Sequence, residues 1–178
     1  KEECGETCAC TRVRVCACAC TCACARACTS VVWFTCDENG KALASVERYN
    51  VATGKWSGVA DMSEARRFHG VAVVDGCIYS LGGWDGNDSL STVERLDPVQ
   101  NTWTRVAPMA GGSRYTFGVC VLDGCIFVYG GYKNNSRTNS VERYDPAADT
   151  WSEVASMTTE RSDVSGAALG GSIYACGG

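Results

Sequence analysis

The stretch that decides the fold runs from Gly124 to Met157 and reads GCIFVYGGYKNNSRTNSVERYDPAADTWSEVASM. Its apolar run, Cys125 to Tyr129, directly follows Asp123-Gly124, a dipeptide that favours a tight hairpin turn. Gly130-Gly131 ends that run, where the missing Cβ lets another backbone or a large ring approach closely. Beyond a polar loop, Ser140 to Tyr144 alternates as a strand, Asp145-Pro146 turns the chain, and Trp151 to Val154 forms another strand. Thr116 to Leu122, ahead of the Asp-Gly turn, completes a four-strand unit.

The unit repeats. Trp56, Trp103 and Trp151 are separated by 47 and 48 residues, and so are Met62, Met109 and Met157. The diglycines Gly82-Gly83, Gly130-Gly131 and Gly177-Gly178 keep the same period, as do three Val-Glu-Arg tripeptides beginning at Val46, Val93 and Val141. One unit earlier the strands read Gly70 to Val74, Cys77 to Leu81, Ser91 to Leu96 and Trp103 to Val106. Four short strands every 47 or 48 residues, with no helical period between them, predict the blades of a β-propeller. The fold class is all-β: a partial propeller of about three four-stranded antiparallel blades over residues 30–178. Counted by strands, the units hold three, four, four and two.

These residues resemble kelch repeats: an aromatic before a diglycine, then Val-Glu-Arg-Tyr-Asp-Pro, then Trp, then Met. The resemblance covers residues 31–178 and is most similar to the kelch-like family, which joins a BTB and a BACK domain to a six-blade propeller. Neither BTB nor BACK is read in this sequence. The resemblance implies a non-enzymatic, cytoplasmic module that recognises a protein or peptide substrate for a cullin-3 RING ubiquitin ligase. Cullin-3 itself would bind only through a BTB domain, and some relatives instead bind actin. The sequence departs from the pattern at both ends. Val31 to Phe34 resembles a second strand, but Thr35-Cys36 stands where a diglycine is expected. The last unit stops at its diglycine, so the chain reads as a fragment or a mis-assembled gene model.

Composition agrees with a globular chain, at 46% hydrophobic and 20% charged residues. No apolar run approaches the roughly 18 residues of a membrane helix. A net charge of -4 argues against binding nucleic acid through counterion release.

Residues 1–29 are a different text. Ten of the 14 cysteines fall within residues 1–36, and residues 8–28 use only Cys, Ala, Thr, Arg and Val. Four readings stand. A disulfide scaffold lacks the turns its pairings need, although Cys4 to Cys8 resembles the opening of a plant cyclotide. Repeated Cys-x-Cys spacing suits a soft-metal thiolate cluster. A signal peptide would want a Leu-rich core. A translated simple dinucleotide repeat also gives this alphabet, and it is the favoured reading: a low-complexity segment without a fold of its own.

No catalytic, metal or cofactor site is read. His69 is the only histidine, too few for the copper site of a galactose-oxidase-like enzyme on the same blades. Cys77, Cys120, Cys125 and Cys176 fall at strand positions, as small buried hydrophobes of a reducing compartment. Trp56, Trp103 and Trp151 are expected between blades with their rings near glycine backbone, and Gly82, Gly83, Gly130, Gly131, Gly177 and Gly178 at strand ends. Glu94 and Arg95, with their counterparts, are expected to pair across strands or with Arg66, Arg114 and Arg161.

Function is expected in loops that differ between units, because rigid repeats carry recognition on their connections. Two loop sets reach one rim. After the diglycines come Trp84, Asn87 and Asp88, then Tyr132, Lys133, Asn134, Asn135 and Arg137. Leading into the first strands are Arg67 and Phe68, then Tyr115 and Thr116, then Ser162 and Asp163. Their aromatics and arginines are the residue types most often energetic at interfaces.

Overall fold

The structure is a computed structural model, and it describes residues 36–178. Val31 to Phe34 and the Cys/Ala segment lie outside the described residues. Every regular element described is a strand. The first unit contributes the hairpin β1 (Val46–Asn50) and β2 (Lys55–Val59). The second is a complete antiparallel blade of β3 (Gly70–Val74), β4 (Cys77–Leu81), β5 (Val93–Asp97) and β6 (Thr102–Val106), paired in chain order.

The third unit holds β7 (Arg114–Tyr115), β8 (Gly118–Leu122), β9 (Cys125–Tyr129), β10 (Tyr132–Lys133), β11 (Ser136–Arg137), β12 (Val141–Asp145) and β13 (Thr150–Val154). Its blade is ordered β13-β12-β9-β8, and a small second sheet is ordered β11-β10-β7. The fourth unit gives the hairpin β14 (Ser165–Leu169) and β15 (Ser172–Cys176). The sequence correctly marks the Asp-Gly hairpins, and Asp75 and Asp123 take φ values of 48° and 50°. Two expectations change. The strand read as Thr116 to Leu122 shortens to β8, with β7 a separate short strand ahead of it, and the loop after Gly131 is itself a hairpin.

The blades stack face to face, with β8 packed against β3 on one side and β14 on the other. The core between the second and third units includes Leu81, Val93, Phe117, Ile126 and Val128, all but sealed from solvent. The apolar inner strands supply this core, although Gly-Val-Ala-Val-Val buries Ala72 and Val74 on one face and leaves Val73 on the other half exposed.

Glycine does what the sequence asks of it, through a different neighbour. A Cβ at Gly82 would stand 2.6 Å from the Arg114 carbonyl, and one at Gly130 2.6 Å from the Arg161 carbonyl. Backbone of the next unit therefore occupies the space, not a tryptophan ring. The rings that do lie on glycine are Tyr129, against Gly118 and Gly166, and Phe117, against Gly70. The tryptophans act as inter-unit latches instead. Trp103 Nε1 donates to the Ala60 carbonyl at 2.8 Å, while the Ala60 N–H donates to Asn101 Oδ1 at 3.0 Å. Trp151 and Asp149 hold Ala107 in the same way, at 2.9 Å and 2.9 Å. In the first unit Gly54 stands in place of that Asn or Asp, and Trp56 is 38% exposed against Tyr49.

The Val-Glu-Arg tripeptides split their labour. Glu94 turns inward to Arg66 at 2.9 Å and Glu142 to Arg114 at 2.7 Å, all four side chains being buried. Arg66 also donates to the Gly82 and Thr92 carbonyls, and Arg114 to those of Gly130 and Ser140. Each guanidinium so closes one end of its blade, which is how a buried cation is tolerated. Arg95 and Arg143 meet no glutamate. They reach across to the strand before and donate to Cys77 Sγ at 3.0 Å and Cys125 Sγ at 2.8 Å.

Candidate functional site: the loop rim

The two loop sets meet, as four-strand geometry requires. Tyr115 on β7 stands directly opposite Tyr132 on β10, and Tyr132 opposite Arg137 on β11. One unit earlier, isolated bridges join Arg67 to Trp84 and Trp84 to Ser89 at the same repeat positions. Asn134 and Asn135 make the β10–β11 turn with φ of 50° and 64°, the left-handed pair that a two-residue hairpin needs and that asparagine tolerates well.

This register builds a row of rings. Tyr115 and Tyr132 stack at 5.2 Å with planes 10° apart, and Trp84 meets Tyr115 edge-on at 5.6 Å. Arg137 lies over the Tyr132 ring, 6.0 Å from its centroid. The row crosses from the second unit to the third. All three aromatics are half-buried and Arg137 is exposed. Burial pushes the Tyr115 hydroxyl above its ordinary value, with Tyr132 adding to the effect. Beside the row, Asp85 Oδ1 accepts the Asp88 and Asn87 N–H groups, a bonding that holds its carboxyl below the usual range.

Other expected rim residues are placed differently. Phe68, Thr116 and Asp163 share one repeat position and take φ of 56°, 51° and 55°. Their backbones form a chain between units: the Thr116 N–H donates to the Phe68 carbonyl at 3.0 Å, and the Asp163 N–H to the Thr116 carbonyl at 2.8 Å. Thr116 and Ser162 are buried, so they line the interior rather than the rim. Arg67 donates to the Gly40 carbonyl and rests on Phe68, tying the first unit to the second. Lys133 turns inward within its own unit, 3.8 Å from Glu142 and 3.7 Å from Glu153. Asn87, Asp88, Asn134, Asn135, Arg137 and Asp163 remain exposed. The sequence marks these loops but not the stacking, which depends on the cross-strand register of β7, β10 and β11.

His69 is buried beneath the rim, facing a cleft lined by Val46, Met62, Ile78 and Trp103. Burial, helped by Arg66, lowers its pKa to about 4. No group of three His, Cys, Asp or Glu able to hold a metal ion occurs among the described residues. No helix among them is long and apolar enough to cross a membrane.

The family model of the KLHDC2/KLHL20/DRC7 Kelch-repeats domain matches residues 2–178. Kelch-like protein 7 of Rattus norvegicus is 38% identical over 71 residues, covering 40% of this chain and 12% of the relative. Kelch-like protein 35 of Homo sapiens is 44% identical over 54 residues, covering 30% and 9%. Kelch-like protein 6 of Homo sapiens is 34% identical over 64 residues, covering 36% and 10%. With the repeating blades and their diglycine, Arg–Glu and Trp contacts, the match makes this chain a member of the Kelch-repeat family of protein-interaction modules, present as part of a propeller.

Proposed function

We propose that the chain is the target-recognition part of a cullin-3 RING ubiquitin-ligase adaptor, gripping a protein or peptide at the loop rim. The observation that carries this reading is the row Trp84, Tyr115, Tyr132 and Arg137, assembled from residues that differ between units on a frame that repeats. Rigid aromatics and arginine are the side chains that most often dominate interface energetics. Similarity to kelch-like proteins supports the adaptor role, with the cullin contact assigned to a BTB domain and the protein to the cytoplasm. No catalytic group enters the reading.

The test uses the full-length protein in its source cells. Cullin-3 should co-precipitate with it, and Tyr132→Ala with Arg137→Ala should leave that association intact while raising the level of its target. Sedimentation of the 178-residue chain with F-actin, lost on the same pair of substitutions and without cullin-3 association, overturns the ligase role in favour of a cytoskeletal scaffold.

A further inference from the structure

The two half-blades of the described chain are complementary. Leaving aside the short β7, β10 and β11, the four units hold two, four, four and two strands. β14 and β15 keep the repeat positions of the inner strands β3 and β4, whereas β1 and β2 keep those of the outer strands β5 and β6. The described strands are those of three blades, so two copies hold six and three copies nine. Propellers close with about 4–8 blades, and only two copies reach that range without exceeding it.

Each half-blade leaves open a face that its counterparts cover. Between the second and third units, Val74 and Tyr79 pack against Val119 and Ile126 and are each 4% exposed. Leu169 and Tyr174 hold the same repeat positions in the fourth unit and are 71% and 52% exposed. At the other end Val73 is 50% exposed, whereas its counterpart Val121 packs against the core between units. Val71 and Ile78, on that same side, line the cleft beside His69 together with Val46 of β1. The contacts that join unit to unit have matching halves at these two ends. Ala155 is exposed at the position where Ala60 and Ala107 each receive a tryptophan, and Trp56 is the half-open tryptophan of β2. Arg161 bonds the Gly177 carbonyl as Arg66 bonds Gly82, and Glu47 stands on β1 at the position of Glu94.

We propose that two copies of the chain assemble head to tail into a closed six-blade ring, β15 of each pairing antiparallel with β1 of the other and β14 packing on β3 of the other. The pairings of β4 with β5 and of β9 with β12 set the register, which places Cys176 opposite Val46 and Tyr174 opposite Arg48 of the second copy. Exposed apolar side chains beside a sheet edge favour such pairing. A twofold rotation engages both junctions at once, so growth stops at two. The assembly uses the frame and leaves the rim loops outside the junctions.

The test is sedimentation equilibrium of the 178-residue chain under reducing conditions, which should give twice its 18.9 kDa and no larger species. Leu169→Glu and Val73→Glu each charge a side chain that is open in the single chain. Each variant should keep its circular dichroism and become monomeric, with association weakened at least about a hundredfold. An equimolar mixture of the two should regain a dimer, because one of its two junctions then joins an unaltered β14 to an unaltered β3. Deleting residues 1–35 should leave the dimer in place. A parent chain that stays monomeric at about 100 μM overturns the assembly. So does a dimer broken by only one of the two variants, which means that like faces meet, or one lost with residues 1–35. An open series of larger species overturns the closed ring, and a mixture that stays monomeric overturns the head-to-tail arrangement.

Discussion

Arg114 and Glu142 stand 2.7 Å apart, with neither side chain exposed to solvent, and the pair repeats 48 residues earlier as Arg66 and Glu94. Two opposed charges in that setting gain little over apolar packing, but either one alone is costly. Burial draws the Arg114 guanidinium below its ordinary pKa even beside Glu142. Glu142→Leu should therefore destabilise the chain by about 3–5 kcal/mol in denaturant unfolding, through the stranded guanidinium. Arg114→Met with Glu142→Leu should cost less than the sum of the single changes. Strict additivity would mean that the two residues act through other partners.

Trp103 latches one unit to the next. Trp103→Ala should remove the packing and the bond to Ala60, at a cost of about 3 kcal/mol. Trp103→Phe, which keeps most of the packing, should lose only about 1 kcal/mol. Trp56→Ala should have a smaller effect than Trp103→Ala, because Trp56 is the most open of the three. Equal unfolding midpoints for all three variants would place the latch elsewhere.

Period and turn chemistry made the blades legible. Gly, Asp-Gly, Asp-Pro and Trp recur because each solves a local backbone or packing problem that every unit shares. Partner choice inside the repeat was less legible. Glu94 and Arg95 are neighbours in sequence, yet strand alternation sends one to Arg66 and the other to Cys77, 18 residues back. The rim was legible as a set of loops but not as a surface. Lys133 and Arg137 read alike in the sequence, and only the hairpin between them decides which turns inward.

Stability should fall in two stages on acidification. His69 has an ordinary value of 6.5 when unfolded and about 4 in the fold. Between these limits the unfolded chain takes up a proton that the fold refuses, so stability falls as pH drops from 6.5 towards 4. The loss amounts to about 3 kcal/mol at most. Glu94 acts further down. Burial would raise its carboxyl, but the Ser63 N–H and Arg66 hold it below its ordinary 4.5, and its contribution is lost as pH falls through that lowered value. His69→Phe should flatten unfolding free energy against pH between 6.5 and 4 while leaving the lower stage. An unchanged slope would remove His69 from the account.

The Cys/Ala segment is proposed to contribute nothing to the blades, and the family match beginning at residue 2 makes that worth testing. Deleting residues 1–29 should leave the thermal midpoint of the remainder unchanged and should not alter bound zinc. A lower midpoint, or stoichiometric zinc lost with the segment, would make it part of the folded unit.

Gly131 and Gly124 both take positive φ, 83° and 72°, and offer a controlled test of why the rim sits where it does. Alanine at either position incurs the left-handed penalty of about 1 kcal/mol. Only at Gly131 does the new methyl also collide with fixed atoms, at 2.6 Å from the Tyr115 carbonyl and 2.7 Å from Phe117 Cβ. At Gly124 it meets nothing within 4 Å. Gly131→Ala should cost about 2–4 kcal/mol against about 1 for Gly124→Ala. The excess has a functional counterpart, because Gly131 immediately precedes Tyr132 and its close approach to Tyr115 brings the two rings into register. Gly131→Ala should therefore weaken peptide capture under conditions where the variant is still folded, and Gly124→Ala, at the opposite end of the blade, should not. Equal costs for the two alanines, or equal losses of capture, would show that the diglycine serves only the turn and that the stack is set by β10 and β11 alone.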